Sequence, residues 1–426
     1  MQSPGRRILM TAAEVSGDLH ASHLIRSLLA VDPSLRVEGH GGPRMRDAGA
    51  HLHVETTAKA AMGLSGVGRA REMYRLLRWT RDRYKADPPD LHVCVDSSAV
   101  NLHFARIART ANPDRPVPVL YYIAPQLWAW REGRMKRLRK WADRLACILP
   151  FEEPYFRSHG VNATFVGHPL FDEVGEKREA RSEKREDHGA APVVGLLTGS
   201  RAGEARANFG RMLQVAEQIK REFPAARFLA PTTAATHPIV TQAVAGLPPS
   251  SILHPLSSCF TTQEGAFDEF VPRCDLVITV SGTATLHVAI HGTPMIVVYY
   301  GNPVLWNAVG RWLMRTRTYA LVNLLAADPQ LAASGRVTAD MHIVPEFIPW
   351  YGSTGPVADH AIDLLRHPDK LSAQRQRLAA LTSKLDKPGA SMRTAQIAME
   401  LLEAPYKNPM PVPAEPDSRG TRERTP

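Results

Sequence analysis

Two positions in this sequence combine a reactive side chain with a place to use it. Asp96 directly follows the apolar run Leu91-His92-Val93-Cys94-Val95, where a strand is expected to end and leave the carboxylate exposed at a sheet edge. A carboxylate so placed takes a proton from an acceptor hydroxyl as a general base. A lone aspartate there equally caps the helix expected from near Asn101. Arg201 closes the turn Thr198-Gly199-Ser200-Arg201, between the apolar run Val193–Leu197 and a long helical stretch. Small residues let a backbone approach a diphosphate, and a guanidinium offers planar donors to its oxygens as a leaving nucleotide gathers charge. Ser281-Gly282-Thr283, behind the run Leu276–Val280, offers hydroxyls and helix-start amides to the same group.

A further turn, Ser16-Gly17-Asp18, opens the first helical stretch and is read as an acceptor-side loop, with an ordinary turn capped by Ser16 or Asp18 as the alternative. Neither loop of the second half carries the lysine of a nucleoside triphosphate loop, which disfavours triphosphate hydrolysis. His20, His40, His168 and His287 stand in motif loops and are read as hydrogen-bonding partners, because no group of His, Cys, Asp and Glu shows metal-ligand spacing. No metal and no cofactor is therefore expected. Positive side chains and backbone dipoles take the place of a cation. The four cysteines, Cys94, Cys147, Cys259 and Cys274, form no C-x-x-C pair and read as buried free thiols.

The net charge of +10 points to an anionic partner: nucleic acid, anionic lipid or a phosphorylated substrate. Residues 69–85 form a helix candidate in which Arg75, Arg78 and further basic residues surround Trp79 and other apolar side chains. Residues 304–317 place Trp306 and Trp312 among arginines in the same way. Basic residues interleaved with interfacial aromatics suit lipid headgroups, while a solvated helix packing one apolar face on its own domain is the plainer reading. No recognised nucleic-acid motif appears, so nucleic acid is not an expected partner.

Stepping the sequence through from Arg6, short apolar runs alternate with helix-length amphipathic stretches, the grammar of parallel βαβ units. The chain of 426 residues, 44% apolar, exceeds one ordinary core, so two domains are expected. The reading is an α/β protein of two doubly wound, Rossmann-like domains facing a cleft: residues 1–172, a charged linker 173–192, then residues 193–385. A C-terminal helix, 386–404, is expected to pack back on the pair, and the Pro- and charge-rich tail 405–426 to be disordered. No stretch approaches the roughly 20 apolar residues of a spanning helix, and residues 1–10 lack a secretory apolar region, which predicts a cytoplasmic protein. Oligomeric state is not legible.

The motifs AAEVSGDLH, GHGGPRM, AAMGLSGV, YYIAPQLWAWREGR, LPFEEPYF, FVGHPL, TGSRAGE, SGTATLH and PMIVVYY stand in an order and spacing that resembles the lipid-A-disaccharide synthase family from Arg6 to about Leu402. The resemblance implies a GT-B fold. It implies an inverting transfer of diacylglucosamine from its UDP form to the 6-hydroxyl of diacylglucosamine 1-phosphate, giving a β-1,6 disaccharide and UDP at the cytoplasmic face of the inner membrane. Carried over by position, Asp96 is the family's favoured base and Arg201 its diphosphate arginine. Ser200 lies in that same loop, while Ser281, Gly282 and Thr283 form the second phosphate loop and Asn323 and Glu346 lie near the nucleotide. The chain departs from the family at Ala99, Gly66, His287, the Ile348-Pro349-Trp350 run and Thr198, where the family carries aspartate, glutamate, glutamate, a glutamine after PEF, and proline. A non-catalytic lipid- or nucleotide-binding paralogue and a GT-B relative such as a UDP-sugar epimerase are the alternatives.

Overall fold

The computed structural model describes residues 5–56, 66–129, 132–173, 191–248, 250–253, 259–301 and 316–404. The described residues form two α/β units, each built on one all-parallel sheet. Nearly all of the expected linker, and the whole tail from 405, lie outside the described residues.

The first sheet contains β1 (Arg7–Ala12), β2 (Arg36–Gly41), β3 (His51–Glu55), β4 (Leu91–Val95), β5 (Val119–Tyr122), β6 (Arg144–Cys147) and β7 (Ala163–Phe165). Their spatial order is β3-β2-β1-β4-β5-β6-β7. Strands β4 and β5 are buried along their whole length, because helices cover both faces of a parallel sheet and leave no wet side to a central strand. The order reverses direction between β1 and β4, whose register pairs Ala12 with Val95. The chain therefore leaves the sheet side by side at Ala13 and Asp96, the crevice where doubly wound sheets collect ligands.

The second sheet repeats the plan with β8 (Val193–Leu197), β9 (Arg227–Thr232), β10 (Phe260–Glu264), β11 (Leu276–Val280), β12 (Met295–Val298) and β13 (Glu346–Phe347). Its order is β10-β9-β8-β11-β12-β13, so the reversal falls between β8 and β11, with Leu197 opposite Thr279. The loops 198–201 and 281–283 thus start from neighbouring strands. The helix Ala202–Glu222 buries Phe209, Met212, Ala216 and Ile219 against Val194, Leu196 and Phe228. Steps of three and four residues keep this face on one side of a 3.6-residue helix.

Two assignments differ from continuous halves. Gln126–Glu132 and the stretch from Gly167 group with the second unit, whereas the chain returns to the first at Gly389. The helix Ala390–Glu403 places Ala395, Ile397 and Ala398 in the core formed by Ile8, Met10, Leu24 and Ile25. Arg393 Nε donates to the Val166 carbonyl at 2.7 Å and fixes the helix to the end of the first sheet. All four cysteines are buried thiols.

Candidate functional site

At the end of β4 the chain turns through Asp96 (φ 54°) and Ser97 (φ 44°), two consecutive non-glycine residues in the left-handed region. Each such residue costs roughly 1 kcal/mol, so the turn persists only because its surroundings impose it. The hold is visible. Asn101 Nδ2 donates to the carbonyls of Val95 and Asp96 at 2.8 and 2.7 Å, and the Tyr121 hydroxyl donates to the Asp96 carbonyl at 2.8 Å. The Asp96 amide donates to Tyr122 O at 2.9 Å. Asn101 is itself fixed by Thr11, whose hydroxyl donates to Oδ1 at 2.8 Å and lies 3.3 Å from His92 Nε2. His92 Nδ1 meets the Tyr84 hydroxyl at 2.5 Å. Burial, aided by His40, lowers His92 to about 3, so the imidazole is neutral and serves as a rigid hydrogen-bonding strut. The backbone grip leaves the half-buried Asp96 side chain aimed by its turn. The helix Ser98–Thr110 starts three residues earlier than expected, with Ser97 as its N-cap and no cap bond from the Ser97 side chain.

The neighbouring turn after β1 carries Ser16-Gly17-Asp18. The helix begins at Val15, so these residues form its first turn. Ser16 is exposed and Gly17 buried. Asp18 is buried and accepts from the amides of Gly42 (2.9 Å), Met45 (3.1 Å) and Arg44 (3.1 Å). It caps the short helix Pro43–Asp47 and joins the ends of β1 and β2.

In the second unit, Gly199 (φ 86°) makes the turn after β8; a Cβ there would lie 2.4 Å from Glu204 Oε2 and 2.9 Å from Val280 Cγ2. Only glycine fits. Arg201 is the N-cap of the helix Ala202–Glu222, its side chain 68% exposed and its Nη1 3.3 Å from Glu204 Oε1. An ion pair this exposed is worth at most about 1 kcal/mol, little enough for an incoming phosphate to replace it. Arg201 and Glu204 border an open pocket of about 420 Å3 shared with Asn208, Tyr299 and Tyr300. Asn208 shapes that pocket: Oδ1 accepts from the Tyr300 amide at 2.7 Å and Nδ2 donates to Glu204 O at 2.9 Å. Burial, and then Glu204, raise the Tyr299 phenol, which stays protonated as a donor. Glu204, Asn208 and the two tyrosines were not singled out from sequence; a polar Asn208 on the apolar face of the helix was the available signal.

The second loop presents exposed Gly282 and Thr283 at the start of the helix Thr283–Ile290. Ser281 Oγ turns the other way and donates to Tyr319 O at 2.6 Å. Glu346 explains why Tyr319 is fixed. Its carboxylate is 5% exposed and accepts from the amides of Tyr319 (2.9 Å) and Ala320 (3.0 Å) and from Asn323 Nδ2 (2.7 Å). Asn323 is fully buried, its Oδ1 accepting from Ile343 and Val344 amides and its Nδ2 donating to Val344 O. These two residues hold the chain that holds the loop. Their polar atoms are engaged by protein, which makes both residues supports of the loop.

On the first unit the basic helix spans Gly66–Ala86. Leu76, Thr80 and Tyr84 face inward, while Arg75 and Arg78 are exposed and Tyr74 is 67% exposed. Trp79 is 40% exposed, but its ring packs 5.3 Å from His40 and 5.0 Å from His53 and under Arg83, so much of it belongs to the unit's own packing. Trp306 and Trp312 lie outside the described residues. Among the described residues no helix is long and apolar enough to cross a membrane. Asp268, His287 and His291, which show no metal-ligand spacing in the sequence, bring three ligand-type atoms within 4.8 Å of one another.

Two parallel-sheet units with exposed loops at each sheet's switch point define a GT-B glycosyltransferase fold. The fold matches the glycotransferase of kitacinnamycin (TM-score 0.58, 16% identity, 94% of this chain and 100% of that one). It also matches a putative UDP-N-acetylglucosamine 2-epimerase from Listeria monocytogenes (TM-score 0.56, 11% identity, 93% and 95% covered). The family model described as lipid-A-disaccharide synthetase matches residues 8–346. The lipid-A-disaccharide synthase of Geobacter sulfurreducens is 35% identical over 94% of this chain and 98% of its own, and that of Geobacter metallireducens is 33% identical with the same coverage. The chain belongs to the lipid-A-disaccharide synthase family, and is a glycosyltransferase of lipid A biosynthesis acting on a nucleotide sugar and a lipid-linked sugar.

Proposed function

We propose that Asp96 is the general base that deprotonates the 6-hydroxyl of diacylglucosamine 1-phosphate, and that Arg201 with the Gly282–Thr283 loop stabilises UDP as it leaves diacylglucosamine. The observation that carries this reading is the strained Asp96–Ser97 turn, held from its backbone side by Asn101 and Tyr121 so that the carboxylate is kept at the β4 edge. Attack by the acceptor oxygen on the anomeric carbon breaks the bond to the β-phosphate oxygen, inverts that carbon and yields the β-1,6 disaccharide. The Ser200 and Thr283 hydroxyls, the first-turn amides of the helix Thr283–Ile290 and the Arg201 guanidinium would meet the diphosphate charge. Ser16 and Gly17 contribute the free amides of a helix start on the acceptor side. Arg75 and Arg78, with Tyr74 and the exposed edge of Trp79, form the surface that meets anionic lipid on the cytoplasmic face of the inner membrane.

UDP release from UDP-diacylglucosamine and diacylglucosamine 1-phosphate in detergent micelles tests the assignment, with the product identified by mass spectrometry. Asp96→Asn is expected to lower kcat by about 10²–10⁴-fold, the usual worth of general base catalysis. Arg201→Ala is expected to lower it by about 10²–10³-fold, the loss of one donor to developing charge. An Asp96→Asn enzyme as fast as the parent removes the base from the scheme. UDP-sugar consumed equally well with no acceptor present would redirect the chemistry to epimerisation.

A further inference from the structure

A group of side chains in the second unit lies outside the chemistry above. His287 and His291 are four residues apart, at the end of the helix Thr283–Ile290 and at its C-cap, so they occupy one face. Asp268 comes from another element, the short helix Phe267–Phe270 that follows β10. Its Oδ1 lies 2.8 Å from His287 Nε2 and 3.2 Å from His291 Nε2. The imidazole rings are nearly parallel, 22° apart, and Phe267 stacks on His287 at 4.2 Å between centroids. The two segments are tied just beyond the cluster, where the Thr293 hydroxyl donates to Val271 O at 3.0 Å.

We propose that Asp268, His287 and His291 form a binding site for a divalent transition-metal ion, with zinc the best match. Two imidazoles and one carboxylate are a zinc-type donor set, whereas magnesium and calcium take oxygen ligands. Zinc bonds of about 2.0–2.1 Å in a tetrahedron set donor atoms roughly 3.3 Å apart, close to the two separations found here. An ion accepted at this place replaces the shared contacts to Oδ1 with bonds to all three side chains. The side chains remain 15–21% exposed, so an ion has access and a fourth position stays open to water or a small anion. The consequence is a clip between the turn after β10 and the helix whose first residues carry the Gly282–Thr283 loop.

The site is independent of the catalytic assignment, and its test needs no activity. Full-length protein without a histidine tag, stripped by chelator and dialysed, is titrated calorimetrically with Zn2+, with Co2+ as a spectroscopic reporter of coordination geometry. One saturable Zn2+ per chain is expected, together with a rise in Tm. His291→Ala and Asp268→Asn should each weaken binding by at least the roughly 10–100-fold that loss of a supporting partner costs a metal site. Asp268→Asn preserves the shape of the turn, and circular dichroism of the metal-free variant separates loss of a ligand from loss of fold. Absence of saturable binding in the parent protein, or equal affinity in parent, His291→Ala and Asp268→Asn, overturns the proposal.

Discussion

Asp96, the proposed base, illustrates how the setting of one residue is made by others. Its backbone is held in the left-handed region by the Asn101 amide, and Asn101 by Thr11, so the strain in the turn is resisted three residues deep. Asn101→Ala leaves the carbonyls of Val95 and Asp96 without this donor in a buried setting, and stability should fall by about 1–3 kcal/mol. A fall in kcat with little change in KM for the nucleotide sugar is the accompanying expectation, because Asn101 holds the turn that carries Asp96; steady-state kinetics beside a denaturant melt reads both. Asp96 and Arg201 could be picked from sequence because uninterrupted apolar runs announce where strands end. Asn101 could not, since its partner Thr11 is brought to it by the pairing of β1 with β4. The partners of Asp18 were equally hidden: the amides it caps lie 24 to 27 positions away. The group of His287, His291 and Asp268 was not read from spacing, since Asp268 arrives from a separate helix.

Among elements, the loops after β8 and β11 have different supports. The first is built into the start of a long amphipathic helix, while the second leans on the chain at Tyr319, which Glu346 fixes from β13. Glu346→Gln puts an amide group among the donors of Tyr319, Ala320 and Asn323, and should cost about 1–3 kcal/mol. Its kinetic signature should be a raised KM for the nucleotide sugar with kcat largely kept, measured with saturating acceptor; a change confined to kcat contradicts a supporting role. The central strands were legible as continuous apolar runs such as Leu276–Val280. β13 has two residues and β3 reads His-Leu-His-Val-Glu, so neither carries the apolar signature that marked the others.

For the molecule as a whole, buried histidines set an acid limit. Burial, with His53 beside it, lowers His40 to about 3, and burial lowers His92 to about 3. Both bind protons in the unfolded chain below an ordinary histidine pKa of about 6.5 and refuse them in the folded one, so acid favours unfolding. The sign is fixed: no contribution above pH ~6.5, then a loss of about 1.4 kcal/mol per pH unit for each histidine down to pH ~3, or about 4 kcal/mol between pH 7 and pH 5 for the pair. Thermal melts across that range should show a falling Tm, and a flat profile would contradict the buried neutral state. The two-unit plan was readable from alternating strands and helices, but the division of the chain was not. Nothing in the composition of residues 390–403 tells which sheet their apolar face will cover.

That crossing helix has a bearing on biogenesis. A ribosome delivers the seven strands of the first sheet early, yet Ala395, Ile397 and Ala398, which close over Leu24 and Ile25, emerge only after the strands of the second sheet. The nascent first unit must therefore wait, with part of its interior uncovered, until the entire second unit has been translated.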